Sequence, residues 1–313
     1  MVGRVEARVV RGSVLLVVLC ALVLAGGWYA WELRAIAAHL ADGDPERGVY
    51  QQDPERADRT ASEVLDGIVR EAAEPATDAK AFGGGGKVSW RSAGWKPSDP
   101  LVARPAAAEP AIGALFSPGR DADPDHHCSA AVVRSPGGDL IVTAAHCVYT
   151  RGFRTNLAFA PGYRDGVAQY GIWVPTRIDV DPRWIDDQDP DHDVAFIRLR
   201  RPGYPGQRLE DVTGAETIAF GSELPLPARV VGYPNDTEEP LDCRNTAVAA
   251  GPTQLRLDCA DVPNGTSGGP ILTDGNTLIG VIGGRDGGGD EETSYSSYFG
   301  DGVRSLYERA TKP

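Results

Sequence analysis

The chain has 313 residues, 31 of them basic and 44 acidic, for a formal charge of −13. That surplus disfavours nucleic acid and anionic membrane surfaces as partners. A hydrophobic fraction of 42% supplies a large core, while 38 Gly and 24 Pro exclude an all-helical bundle and point to short strands between turns.

Residues 1–12 form a basic tail carrying Arg4, Arg8 and Arg11, followed by an uncharged apolar run over 13–31. At about 1.5 Å per residue that run is long enough to cross a ~30 Å hydrocarbon layer as a helix. The arginines keep the tail cytoplasmic and send everything after Trp31 outward. Two outcomes stay open: small residues at Val23-Leu24-Ala25 suit cleavage of a signal peptide, and Trp28, Tyr29 and Trp31 suit the aromatic belt of a retained anchor. Either way the remainder is extracytoplasmic, secreted or anchored by 13–31.

Residues 32–105 are rich in Ala, Asp, Glu, Arg, Gly and Pro, with a glycine run at 83–86. Few branched apolar residues occur, so a linker or pro-segment is expected. Within it the spacing of Val64, Leu65, Ile68 and Val69 predicts a short helix over 62–73, capped by Ser62. From 106 to 313 the pattern changes to short apolar or alternating runs, among them AIGALF, SAAVV, DLIVTAAH, VAFIRL, ARVVGY and TLIGVIGG. Such runs between Gly, Pro and Asp turns predict an all-β fold of two packed antiparallel barrels, because closure removes exposed strand edges. A final helix is expected near 302–310.

Cys128, Cys147, Cys243 and Cys259 form an even set on the outward side of the membrane, where disulfides persist. Neighbouring strands favour Cys128 with Cys147 and Cys243 with Cys259. No CxxC pair or His-x-x-x-His spacing suggests a metal site, and no metal ligand is assigned. The acidic runs 186–193 and 286–292 match no calcium-loop pattern and read as solvated loops.

Three segments carry chemistry. His146 follows an apolar strand in VTAAHC, where the adjacent cysteine can pin it as a base. Asp193 heads the strand VAFIRL, where burial lets its carboxylate accept the imidazole N–H and fix the tautomer. Ser267 lies in NGTSGGP, whose glycines allow a sharp turn that aims the amides of Gly265 and Ser267 at one oxygen. Each segment alone is a weak signal. Together, in the chain order His, Asp, Ser, they describe a nucleophile, its base and the acid that orients it.

TAAHC, DVAFIRL and GTSGGP resemble the active-site motifs of the chymotrypsin-fold, trypsin-like serine peptidases. AIGALF, the stretches at 161–166 and 170–173, and Gly232-Tyr233-Pro234 are similar to the bacterial, glutamyl-endopeptidase-like branch. The resemblance covers about 106–313. It implies two six-stranded β-barrels with the site in the cleft, protein or peptide substrates, and acyl transfer through Ser267 without metal or cofactor. Some features depart from the pattern. Thr266 stands where the animal digestive relatives carry an Asp that pairs with a newly cut N-terminus, so activation by that ion pair is not expected. The strand at 278–284 lacks the histidine of the glutamate-specific branch.

Asp261, six residues before Ser267, and Gly283 and Gly284 are the candidate substrate-binding residues, against the simpler reading of Asp261 as a surface-loop acid. Asp191 is a near neighbour of Asp193 that the D-x-A-F register sets aside. His126 and His127 read as solvated strand-end residues and His192 as a turn residue. The competing function is a catalytically silent chymotrypsin-fold module that binds or adheres at the cell surface. Such a module has no need of His146, Asp193 and Ser267 together.

Overall fold

The computed structural model describes residues 39–67, 70–71, 95–118 and 126–312. The apolar run at 13–31, the glycine run at 83–86 and the expected helical positions Ile68 and Val69 lie outside them. The chain divides into a unit of Met1–Leu40 and a unit of Ala41–Pro313, and the strands and the candidate site belong to the second. Among the described residues no helix is long and apolar enough to cross a membrane.

Before the barrels come β1 (Val49–Gln51), α1 (Pro54–Gly67) and β2 (Arg104–Pro105). The first sheet is built from β3 (Ile112–Phe116), β4 (His126–Val133), β5 (Leu140–Thr143), β6 (Ala158–Pro161), β7 (Val174–Val180) and β8 (Ala195–Arg200). Between β7 and β8 lies the short helix α2 (Pro182–Asp187), capped by the Asp181 side chain on the Arg183 amide. The second sheet comprises β9 (Leu226–Gly232), β10 (Leu241–Ala249), β11 (Gln254–Asp258), β12 (Pro270–Thr273), β13 (Thr277–Val281) and β14 (Thr293–Ser297). The chain then enters α3 (Asp301–Ala310).

In the first sheet the order is β1-β7-β8-β5-β4-β3-β6, and paired hydrogen bonds between Phe159 and Trp173 draw its two sides together. In the second, β13-β12-β9-β10-β11-β14 curls until the Gly283 amide meets the Tyr295 carbonyl at 3.0 Å. The expected double-barrel architecture is therefore present, with β1, β2 and a two-residue strand, Thr217–Ile218, parallel to β13, added outside the two sets of six.

Strand alternation assigns side chains to opposite faces. On β8, Ala195, Ile197 and Leu199 fill the first barrel with Ile141, Phe159 and Trp173, while Phe196 turns to a second cluster. That cluster joins Ile112, Val142, Val231, Tyr233 and Leu272, so it draws on both sheets. The second barrel is packed by Val230, Leu255, Leu257, Ile271 and Ile279 around Cys243 and Cys259. Truncating a buried aromatic such as Phe196 to Ala costs about 3–5 kcal/mol in such a setting. Both cystines form as expected, Cys128 with Cys147 and Cys243 with Cys259, with Cα separations of 6.1 and 6.3 Å.

Parts of 32–105 pack onto this frame instead of running free. Strand β1 pairs antiparallel with β7. Helix α1 starts at Pro54, before the expected Ser62, because Asp53 caps it: the Asp53 carboxylate accepts the Arg56 amide at 2.8 Å. Its buried face is Ala57, Thr60, Ala61 and Val64, small residues at helical spacing that allow close approach to the barrel. Further along, β2 pairs with β10, and the Ala103 amide donates to Ala260.

Candidate active site

Strand register brings the first two groups together. Antiparallel pairing of β5 with β8 sets Thr143 opposite Ala195, so the residues after β5 and before β8 share one end of the sheet. His146 leaves β5 on a single 3₁₀ turn, Ala145–Cys147, and Asp193 ends a similar turn just before β8. The His146 Nδ1–H donates to Asp193 Oδ2 at 2.7 Å, and the His146 amide donates to Asp193 Oδ1 at 2.9 Å. A third donor, the Gly284 amide, reaches Oδ2 at 2.8 Å.

Asp193 is 0% exposed, so its charge has to be met by these N–H groups instead of water. The arrangement places the imidazole proton on Nδ1 and leaves Nε2 as the basic nitrogen. The Asp193 amide in turn donates to Ser297 Oγ at 3.1 Å. Behind the imidazole, Trp184 of α2 lies 6.4 Å away between ring centroids and donates its indole N–H to the Tyr149 carbonyl.

Ser267 sits in the loop leading into β12, with its carbonyl accepting the Ser129 amide at 2.7 Å and lying 3.7 Å from Cys147 Sγ. The loop's main chain thus rests against the cystine beside His146. Gly265 and Gly268 have φ of +95° and +79°. A Cβ at 265 would lie 2.2 Å from the Asn235 nitrogen, and one at 268 would lie 2.0 Å from Thr143 Oγ1, so only glycine fits both the dihedral and the space. The Gly265 and Ser267 amides donate to no other group among the described residues.

The remaining candidates separate into distinct roles. Gly283 and Gly284 pack on the Asp193 carboxylate: a Cβ at 283 would meet Asp193 Oδ2 at 2.9 Å, and one at 284 would meet Gln254 Oε1 at 2.5 Å. Asp261 is exposed with φ of +57°, its amide donating to the Glu291 carbonyl. Asp191 accepts from Gln254 Nε2 at 2.8 Å and does not touch His146 through that contact. His127 donates to the Cys147 carbonyl, and His192 lies between Asp181 and Asp189 at 3.7 and 3.6 Å.

His126 is not the solvated strand end expected: it is buried against Phe116 and Tyr163, where the aromatic contacts exclude water, and its Nε2–H donates to the Thr237 carbonyl. Burial pushes its pKa down to about 4, so it is neutral near pH 7. Cys128, His146 and Cys147 are the group of possible metal-ligating atoms among the described residues, but the two sulfurs are joined in a cystine and offer no thiolate. Of the acidic runs, Asp189 and Asp290 spend their carboxylates on the amides of their own turns.

Sequence reasoning did not find Gly284 as a donor to Asp193, nor Ser297, Gln254, Ser129 or Asn235. Their partners are far away in the chain, and nothing local marks them.

Residues 128–281 match the family model described as a trypsin-like peptidase domain. Among solved structures, the protease Anisep from Arthrobacter nicotinovorans is similar at 25% identity and a TM-score of 0.59, over 67% of this chain and 99% of that one. The thermostable serine protease AL20 from an extremophilic microorganism is 27% identical, with a TM-score of 0.58, over 66% of this chain and 99% of that one. A Glu endopeptidase crystallised with MPD shares the fold at 17% identity and a TM-score of 0.55, over 67% of this chain and 99% of that one. No curated protein matches the sequence.

Proposed function

We propose that this chain, which carries a trypsin-like peptidase domain in a chymotrypsin fold, hydrolyses protein or peptide substrates through an acyl-enzyme on Ser267. The observation that carries the reading is the buried Asp193 carboxylate, which accepts His146 Nδ1–H at 2.7 Å and so leaves His146 Nε2 to act as a base. A structural aspartate would not need to be sealed from water against the one partly exposed imidazole beside the glycine-rich serine loop.

Ser267 Oγ attacks the substrate carbonyl carbon while His146 Nε2 takes its proton. Asp193 stabilises the resulting imidazolium, and the Gly265 and Ser267 amides stabilise the negative oxygen of the tetrahedral intermediate. His146 returns the proton to the leaving amine as the C–N bond breaks, giving the acyl-enzyme. Water then attacks with the same proton transfers, which releases the acid and restores Ser267. Asp261, Gly283 and Gly284 remain the candidate substrate walls; of these, Gly283 and Gly284 pack on the Asp193 carboxylate, and Gly284 completes its shell.

The place of action is extracytoplasmic. Support comes from the two cystines and from the basic tail and apolar run at 1–31, which direct the domain outward as a secreted or membrane-anchored protein. The test is hydrolysis of fluorescein-labelled casein by the full chain and by its Ser267→Ala variant. Turnover by the first and its loss in the second, with the fold and both cystines intact, is the expected result. Equal turnover in both would overturn the mechanism.

A further inference from the structure

We infer that Ser129 is a positioning residue for the oxyanion-binding loop, tying the nucleophile loop of the second barrel to strand β4 of the first through its hydroxyl. The inference rests on the acyl-transfer reading of the site and concerns how that site holds its shape.

Residues 263–269 contain no charged side chain, so no ion pair can anchor the loop. Four successive carbonyls are committed to neutral donors. Asn264 O accepts the Asn235 amide at 2.9 Å, Gly265 O accepts Ser129 Oγ–H at 3.0 Å, Thr266 O accepts the Gly269 amide at 2.8 Å, and Ser267 O accepts the Ser129 amide at 2.7 Å. In a trans peptide the N–H points opposite to the preceding C=O. Holding Asn264 O therefore aims the Gly265 N–H, and holding Thr266 O aims the Ser267 N–H. The peptide between those two is the one that Ser129 Oγ holds.

Ser129 can do this because its own hydroxyl is fully specified. It is 0% exposed, accepts the Tyr233 amide at 2.8 Å and donates to Gly265 O, with no rotational freedom left for the proton. Its main chain is fixed as well, since its carbonyl accepts Thr143 Oγ1–H at 2.8 Å next to the His146 turn. One residue thereby links three pieces: the end of β5 that carries the base, the Tyr233–Asn235 segment after β9, and the nucleophile loop. Removing the hydroxyl leaves Gly265 O and the Tyr233 N–H buried without their partner, and the 265–266 peptide is then held only from its other side, by the long Thr266 N–H to Pro263 O bond at 3.3 Å. The amide pair then spends part of its time misdirected. Binding of a substrate in its ground state does not use that pair, so the loss falls on the step where negative charge develops.

The test uses the full chain and a fluorophosphonate probe, whose phosphoryl oxygen occupies the oxyanion position after attack by Ser267. The saturating inactivation rate and the half-saturating probe concentration are measured for the wild type, Ser129→Ala and Ser129→Gly, with thermal midpoints and cystine content alongside. Expected is a fall of about ten- to a hundred-fold in the saturating rate, with half-saturation unchanged within threefold and the acid limb of the pH profile unmoved. Both variants lower the rate, because both lack the hydroxyl that holds Gly265 O; Ser129→Ala removes only the oxygen, and Ser129→Gly removes the β-carbon with it. A rate within twofold of wild type in either folded variant overturns the role of Ser129 while leaving the peptidase reading intact. Failure of the wild type itself to react overturns the peptidase reading, and the Ser129 role falls with it.

Discussion

The two halves of the site are held by opposite kinds of force. On one side, His146 and Asp193 are joined by a buried charge, and the carboxylate accepts three N–H groups in place of water. On the other, the loop at 263–269 is uncharged and is shaped by carbonyl contacts and left-handed glycines. The charged half depends on compensation, so removing one donor or acceptor strands a buried group. The neutral half depends on direction, so its failures are geometric and independent of pH and salt.

The sharpest way to break the charged half is Asp193→Asn. One amide oxygen cannot accept all three donors, and the side-chain NH₂ favours the wrong imidazole tautomer. Hydrolysis should fall roughly 10⁴-fold with the fold retained, measured as casein turnover per folded molecule; a loss under tenfold would contradict the assignment of Asp193. The neutral half breaks at Gly265→Ala, where the added Cβ must displace the Asn235 nitrogen. Misdirected amides should then lower hydrolysis by about 10²- to 10³-fold, with the pH profile keeping its shape; a shifted acid limb instead would show that the two halves are electrostatically coupled.

The cystines sharpen the contrast. Cys128–Cys147 lies between the halves, whereas Cys243–Cys259 sits in the core of the second barrel. Replacing Cys243 and Cys259 by Ser should cost about 3 kcal/mol of stability at unchanged turnover. Replacing Cys128 and Cys147 should lower both, as read by denaturant melts paired with casein assays.

The smallest effect belongs to a charge outside both halves. Glu216 is buried beside the Glu109–Arg229 pair, and burial raises its pKa to about 8. Between about pH 4.5 and 8 the folded state holds a proton that the unfolded state has released, so this group's contribution to stability declines as pH rises through that window. Glu216→Gln should stabilise by about 1–3 kcal/mol above pH 8 and make no difference near pH 4. Denaturant midpoints at the two pH values check this, and equal shifts at both would show that the carboxyl is not the cause.

Much of this was legible because the chemistry was local in sequence. TAAHC, DVAFIRL and GTSGGP each carry their residue beside a strand, and barrel closure does the remaining work of bringing strand ends together. Cys128, Cys147, Cys243 and Cys259 paired as neighbouring strands favoured. The segment at 41–67 was harder to read, since its buried face is made of Ala57, Thr60, Ala61 and Val64 instead of large apolar residues, and its helix begins at an Asp-Pro cap that a search for branched side chains passes over. Ser129 was invisible for a different reason. Within CSAAVV it reads as a small strand residue, and its partners Tyr233 and Gly265 are 104 and 136 positions away.

Because 41–67 and 95–105 pack on the barrels, the decisive experiment belongs on the full chain. Fluorophosphonate labelling at neutral pH, followed by mass mapping of the modified peptide, asks whether Ser267 is an activated nucleophile. The account predicts a single adduct on Ser267 that disappears in His146→Ala. A folded protein with both cystines formed that takes up no label, or takes it up equally without His146, would contradict it.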